Sequence, residues 1–175
     1  DDTEATYRAV SHCAVIRFPM PLFKAFLENN GLLSHLQNVM DKVYFLRKTR
    51  LFGGQTTFQL ANIAQQMTRI TAHAGERIEG EENRQIWLVV EGEIELLDEG
   101  GRVLDLVKPT DFFGEDSFLT DTGSHWTPVA AVTTQLYRLS QMEIIAIPIV
   151  HWRMLEKHDD RLQRLGGSAD HQGSG

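Results

Sequence analysis

Two short runs gather the side chains that could do chemistry. Phe113-Gly114-Glu115-Asp116-Ser117 sets two adjacent carboxylates and a hydroxyl behind a glycine, and Ser124-His125-Trp126-Thr127 adds two hydroxyls, an imidazole and an indole. Each residue also has a plain structural use: glycine for a turn, acids for the first turn of a helix, an aromatic for packing. Metal chemistry finds little support. The histidines, His12, His35, His73, His125, His151, His158 and His171, are scattered, and none forms a His-x-His pair. His151 and His158 share one helical stretch at a spacing that converges two ligands less well than three or four residues would. No Ser/His/Asp or Cys/His arrangement is recognisable, and a haem site through a lone His or Cys13 lacks a signature. The expectation is a protein that is not an enzyme, with no catalytic residue, no metal site and no resident cofactor.

The elements that must position these residues belong to an ordinary globular chain. Of 175 residues 42% are hydrophobic and 23% charged, enough to build one core without disulfides or metal. Cys13 is the sole cysteine, so no internal disulfide can form and a reducing, cytoplasmic setting is expected. With 17 Lys+Arg against 24 Asp+Glu the formal charge is -7, which disfavours phosphate-backbone binding and anionic membranes. No apolar run approaches the about 20 residues that span a bilayer. The sequence begins without Met and ends in a Gly/Ser-rich stretch, residues 166–175, which reads as a flexible tail on an excised piece.

Along the chain, Ala5 to Phe18 alternates like one or two strands. Helices are expected from Pro19 to Asn29, over Leu32 to Val43, and from Phe58 to about Thr71. Turn signals and β-branched residues then predict strands at Arg77-Ile78, Ile86–Val90, Ile94–Leu97 and Val103–Val107, with Asp98-Glu99-Gly100-Gly101 as a hairpin turn. Phe112–Glu115 leads into a single helical turn, and Val129 to Leu139 forms a final strand pair. A last helix runs from Gln141 to about Leu165, restarting or kinking at Pro148. On it Ile145, Ile149, Trp152, Leu155, Leu162 and Leu165 make a stripe that packs on the strands or on a second subunit; Trp87 and Trp152 are expected in the core or in helix packing. Helices, then closely spaced short strands, then a helix describe an α+β, mainly β, roll or jelly roll flanked by N- and C-terminal helices.

Three ordered stretches sharpen that description: Ala74-Gly75-Glu76-Arg77-Ile78, Ile86 to Ile94, and Pro109-Thr110-Asp111-Phe112-Phe113-Gly114-Glu115. Together they resemble the cyclic-nucleotide-binding domain family over about residues 43–165. The family includes the sensor domain of the catabolite activator protein and the regulatory subunits of protein kinase A. Glu4 to Pro19 looks like the closing strands of another such domain, making residues 1–42 the end of a preceding copy; a terminal strand pair of this same domain is the alternative reading.

The resemblance implies a sensor that binds cAMP or cGMP and passes a helix shift around Pro148 to an output domain of the parent protein. Gly114 would let the backbone approach a sugar-phosphate, and Glu115 would accept from the ribose 2′-hydroxyl. Phe113, Asp116 and Ser117 complete that loop. The family's phosphate-pairing Arg has no counterpart, because Phe118 to Pro128 contains neither Arg nor Lys. Losing such a charge-assisted bond removes about 1.5–3 kcal/mol, roughly tenfold to a hundredfold in affinity. Ser124, His125 and Thr127 are the remaining candidates to face the phosphate, while Asp116 and Asp121 oppose an anion. The expectation is a weak or lost nucleotide site, or one taken over by another small effector; the rival is a structural module dimerising through its closing helix. No helix-turn-helix follows that helix, so no DNA contact is expected.

Overall fold

The computed structural model of the chain describes residues 8–79, 84–119, 125–140, 144 and 147–167. The chain divides into two compact units, residues 1–37 and 38–175. The first holds helix α1 (Met20–Asn29), which starts beside Pro19 and Pro21, where a missing backbone N–H costs nothing. The strands expected over Ala5–Phe18 are absent from residues 8–18, and Val10, Val15, Ile16 and Phe18 are exposed. Alternation makes a strand only where a neighbour pairs with the backbone.

Helix α2 (Leu33–Lys48) runs into the second unit, where it buries Val43 and Leu46. Helix α3 (Thr57–Gln66) is started by a capping box, with the Thr56 hydroxyl accepting from the Gln59 amide and the Gln59 side chain reaching back. The helical spacing of Phe58, Leu60, Ile63, Met67 and Ile70 suggests that α3 continues to Thr71, yet it stops at Gln66. Thr68–Ala72 is instead strand β1, paired antiparallel along its whole length with the last strand. The helix yields there because the β-branched Thr68, Ile70 and Thr71 fit a pleated surface.

The strands that follow are β2 (Gln85–Glu91), β3 (Ile94–Leu97), β4 (Val103–Val107) and β5 (Phe112–Phe113); then come helix α4 (Asp116–Leu119), β6 (Thr127–Ala130) and β7 (Thr134–Ser140). Arg77 and Ile78 form no strand; Arg77 makes an isolated bridge to Val129. The turn between β3 and β4 is the one its sequence announces, with the Asp98 carboxylate accepting from the amides of Gly100 and Arg102 and Gly101 at φ +78. One sheet has the order β1-β7-β2-β5 and the other β4-β3-β6, all pairs antiparallel.

Between the sheets lies an inner cluster that includes Trp87, Val89, Ile94, Leu96, Val107, Phe113 and Leu136. The other face of the first sheet meets the helices in an outer cluster that includes Leu46, Phe52, Leu60, Ile63, Ile86, Leu88 and Leu139. Strand β2 serves both, its successive side chains alternating between the two layers, which explains why it is the most apolar run of the chain. This is the expected roll flanked by helices.

Helix α5 (Pro148–Gly167) starts at Pro148, as the restart there predicts; Gln141–Glu143, Ile145 and the tail 168–175 lie outside the described residues. Its buried face is Val150, Met154, His158 and Arg161, with Leu165 packed on the inner cluster. Of the stripe expected from hydrophobicity, Leu165 packs on the strands and Leu155 is half-buried, whereas Ile149, Trp152 and Leu162 are exposed, Trp152 by 66%. Trp87 is buried as expected. Among the described residues no helix is long and apolar enough to cross a membrane.

Candidate ligand site at the mouth of the roll

Strand β5 leads directly into the candidate loop. Phe113 is buried and stacks on Trp87, the ring centroids 6.1 Å apart and the planes nearly parallel. Gly114 has φ +92, and a Cβ there would stand 2.3 Å from the Gln85 carbonyl oxygen. The turn therefore requires glycine with or without a ligand.

Asp116 is buried and spends both oxygens on backbone amides: Oδ1 accepts from Ser117 at 3.0 Å and Oδ2 from His125 at 3.3 Å. It ties the incoming loop to α4. Ser117 donates its hydroxyl to the Gly114 carbonyl at 2.7 Å. His125 is exposed, its ring 6.0 Å from both the Trp126 and the His158 rings. Thr127 is half-buried on β6, paired with Leu97. The structure thus gathers Phe113 to Ser117 and His125 at one corner; Ser124 lies outside the described residues.

Glu115 is fully enclosed, and its partner is Arg161 of α5, also fully enclosed. Arg161 Nη1 donates to Glu115 Oε2 at 2.6 Å, its Nε donates to Asp105 Oδ2 at 3.0 Å, and Nη2 donates to the Phe112 carbonyl at 2.9 Å. Its guanidinium carbon lies 5.9 Å from the centre of the Trp126 ring. One helix side chain thereby joins β4, β5 and the loops on either side of α4. Lys157 bridges Asp111 at 2.7 Å and Asp105 at 3.6 Å, and Arg164 pairs with the other oxygen of Asp105.

Electrostatics follow from that crowding. Burial pushes the Glu115 carboxyl above the usual carboxylate range, and Arg161 only partly offsets it. Burial also opposes ionisation of Asp105, yet Arg161, Lys157 and Arg164 together hold it below its ordinary value. Burial alone would lower Arg161, but Glu115 and Asp105 hold it above its ordinary value. His158 is lowered by desolvation. Breaking one partner out of a buried ion pair costs about 3–5 kcal/mol where the other stays enclosed. Among the described residues Glu115 Oε1 and His158 Nδ1 have no hydrogen-bond partner. Glu115 Oε1 is an acceptor, and His158 Nδ1 can donate or accept according to the tautomer.

Asp105, His158 and Arg161 were not legible as site residues. The available signal was phase: positions 150, 154, 158, 161 and 165 fall on one helical face, and two of the five are basic or titratable. A solvent-open cleft on the flank of α5 is lined by Arg50, Asp111, Arg153 and Glu156 among others, and by none of the predicted ligand residues. Among the described residues no cluster of three or more His, Cys, Asp or Glu could hold a metal ion.

With this geometry in view, the comparisons with known proteins are specific. Residues 71–147 match the family model described as cyclic nucleotide-binding domain. Over these residues the chain is similar to that family, one of regulatory binding domains. Among solved structures, "cAMP bound PfPKA-R (141-441)" is 19% identical with a TM-score of 0.66, covering 77% of this chain and 50% of that one. The sensor domain of the transcriptional regulator DNR from Pseudomonas aeruginosa is 20% identical at TM-score 0.57, covering 69% and 92%. The regulatory subunit of a cAMP-independent protein kinase A from Trypanosoma cruzi, bound to guanosine, is 18% identical at TM-score 0.61, covering 80% and 54%. At these identities the likeness is one of fold. The chain spans about half the length of the PfPKA-R structure. No curated protein matches the sequence.

Proposed function

We propose that the chain is a non-enzymatic regulatory module whose cyclic-nucleotide site is weak or lost, acting in the cytoplasm by coupling the position of α5 to an output domain of the parent protein. The observation that supports this most directly is the fate of Glu115. It stands where the family resemblance puts the carboxylate for a ribose hydroxyl, and it is fully enclosed and paired with Arg161 at 2.6 Å. A nucleotide gains nothing from a carboxylate it cannot reach, and the loop through Pro128 supplies no Arg or Lys for its phosphate. Candidate contacts, should a nucleotide enter, are Phe113 to Ser117, Ser124, His125 and Thr127. Structures of both kinds share this fold, one cAMP bound and one from a cAMP-independent kinase bound to guanosine.

The module's core is taken as residues 43–165, with 1–42 as the end of a preceding copy; the family match starting at residue 71 is compatible with that division. A second reading is a packing module that binds no effector and dimerises through α5, favoured by the exposure of Ile149, Trp152 and Leu162 on one side of that helix.

Calorimetric titration with cAMP and with cGMP at low salt, beside Glu115→Ala, tests the choice. The sensor reading expects saturable binding at high micromolar to millimolar nucleotide; its loss in the variant would show that the nucleotide does reach Glu115 and would overturn the argument from enclosure. No heat up to millimolar ligand in either protein leaves the packing module.

A further inference from the structure

The positive charge that the loop lacks is present on a strand. Along most of its length the inner face of the first sheet is apolar, with Leu136 of β7, Trp87 and Val89 of β2 and Phe113 of β5 in the inner cluster. Alternation sends Ile86, Leu88, Tyr137 and Leu139 to the outer cluster, so Gln85 and Arg138 share the inner face with Trp87 and Leu136. Arg138 stands opposite Trp87, and Gln85 opposite Ser140. Diagonal neighbours of this kind lie about 7–8 Å apart, within reach of long side chains.

Both residues belong to the end of the sheet that carries the Gly114 turn. The backbone of Gln85 is in contact with Gly114, whose added Cβ would meet the Gln85 carbonyl oxygen, and Trp87 stacks on Phe113. Gln85 is 6% exposed, and among the described residues its Oε1 has no hydrogen-bond partner. Enclosing an unsatisfied acceptor costs stability, so an amide at the start of the most apolar strand calls for a donor. Arg138 is half-buried, and its guanidinium keeps its charge at any physiological pH.

We propose that Arg138 and Gln85 are ligand-facing residues of this site, Arg138 pairing with an anionic group and Gln85 Oε1 accepting from a hydroxyl or amine on the same molecule. The class of effector they select is a small organic anion that carries such a donor, a description that cyclic nucleotides meet. The anion is then met from β7 rather than from the loop, where Phe118 to Pro128 holds neither Arg nor Lys. A side chain anchored on a paired strand is also better fixed than one on a loop. This inference rests on the sensor reading above and deepens it by naming the residues that recognise the effector.

Calorimetric titration of the full chain with cAMP, and with adenosine as the same nucleoside without its phosphate, tests it in the native protein, Arg138→Gln and Gln85→Leu. Arg138→Met serves as a second uncharged variant should Arg138→Gln not fold. The native chain is expected to prefer cAMP over adenosine by about tenfold or more, which is what a charge-assisted hydrogen bond is worth. Arg138→Gln should abolish that preference and leave adenosine binding within about twofold of native. Gln85→Leu should weaken both ligands by about fivefold or more while the free protein unfolds no earlier than native, because the unsatisfied acceptor is gone. An undiminished preference for cAMP in the uncharged variant overturns the role of Arg138 and leaves the sensor reading standing. Unchanged affinities in Gln85→Leu, or an earlier unfolding of that variant, overturn the role of Gln85 in the same way. No heat from either ligand in the native chain removes the sensor reading and this site with it.

Discussion

The two halves of α5 are held by opposite kinds of force. Val150 and Met154 enter an apolar layer formed with α2, α3 and the outer face of the first sheet, where every contact is dispersion and water exclusion. One turn further, His158 and Arg161 pack against Asp105, Glu115 and Trp126. The apolar half has a fixed free energy at a given temperature. The ionic half stands on a balance between desolvation and attraction, and its net worth is small even when the cost of breaking it is large. The same helix therefore has an apolar start and an ionic distal end, and only the second is sensitive to the protonation of its partners.

The largest expected effect breaks the firm half. Met154 is fully buried, and Met154→Ala leaves a cavity in the outer cluster that costs about 2–5 kcal/mol. Urea unfolding should show a lower midpoint with an unchanged slope. A loss confined to residues 158–165, with global stability intact, would show that the outer cluster does not hold the helix.

How much of this was readable in the sequence follows from which forces are local. The strands β2, β3 and β4 were legible because alternation and turn residues act within a few positions; Asp98 finds its partners at Gly100 and Arg102. Strand β1 was misread as helix because its identity is decided by β7, with Ile70 opposite Leu136. Ala5–Phe18 erred in the other direction, since its alternation met no pairing strand in residues 8–18. At the site, the run from Phe113 to Ser117 was visible as a cluster of residue types. Arg161 was not, because hydrophobicity chose the stripe through Ile149 and Trp152. What turns the helix is a pair of carboxylates 46 and 56 residues away, Glu115 and Asp105. No periodicity within α5 could report them.

An intermediate effect sharpens the ionic half through its pH dependence. Asp105 is held below its ordinary value, so its contribution is present above about pH 4 and lost as pH falls through the lower folded value. Glu115 is raised, so its contribution is full below about pH 4.5 and is lost as pH rises through the higher folded value. His158 is lowered, so what it contributes is present above about pH 6.5 and lost on acidification through its folded value. Denaturation midpoints followed from pH 7.5 to 3.5 should then fall less steeply below pH 4 in Asp105→Asn than in the native chain. In Glu115→Gln the fall between neutrality and pH 4.5 should be steeper than native, because the gain from protonating Glu115 is gone. Parallel curves for all three proteins would mean that the mouth does not titrate with folding.

The smallest effect concerns the outer side of the firm half. Trp152 is 66% exposed and Ile149 43%, one turn apart on the helix face turned away from the outer cluster. An exposed aromatic with no enclosing partner contributes little to the monomer, so Trp152→Ala should change the unfolding free energy by no more than about 0.5 kcal/mol. An indole carries a large apolar area, however, and a helix face presenting one can serve association. Sedimentation of the native chain and of Trp152→Ala over a hundredfold range of concentration separates the two roles. A native dimer that the variant loses, at unchanged monomer stability, would assign this face to a second copy and give the anchored half of α5 a function of its own. Identical monomers in both proteins would leave this face of α5 without a second copy to bind and would remove the dimer reading.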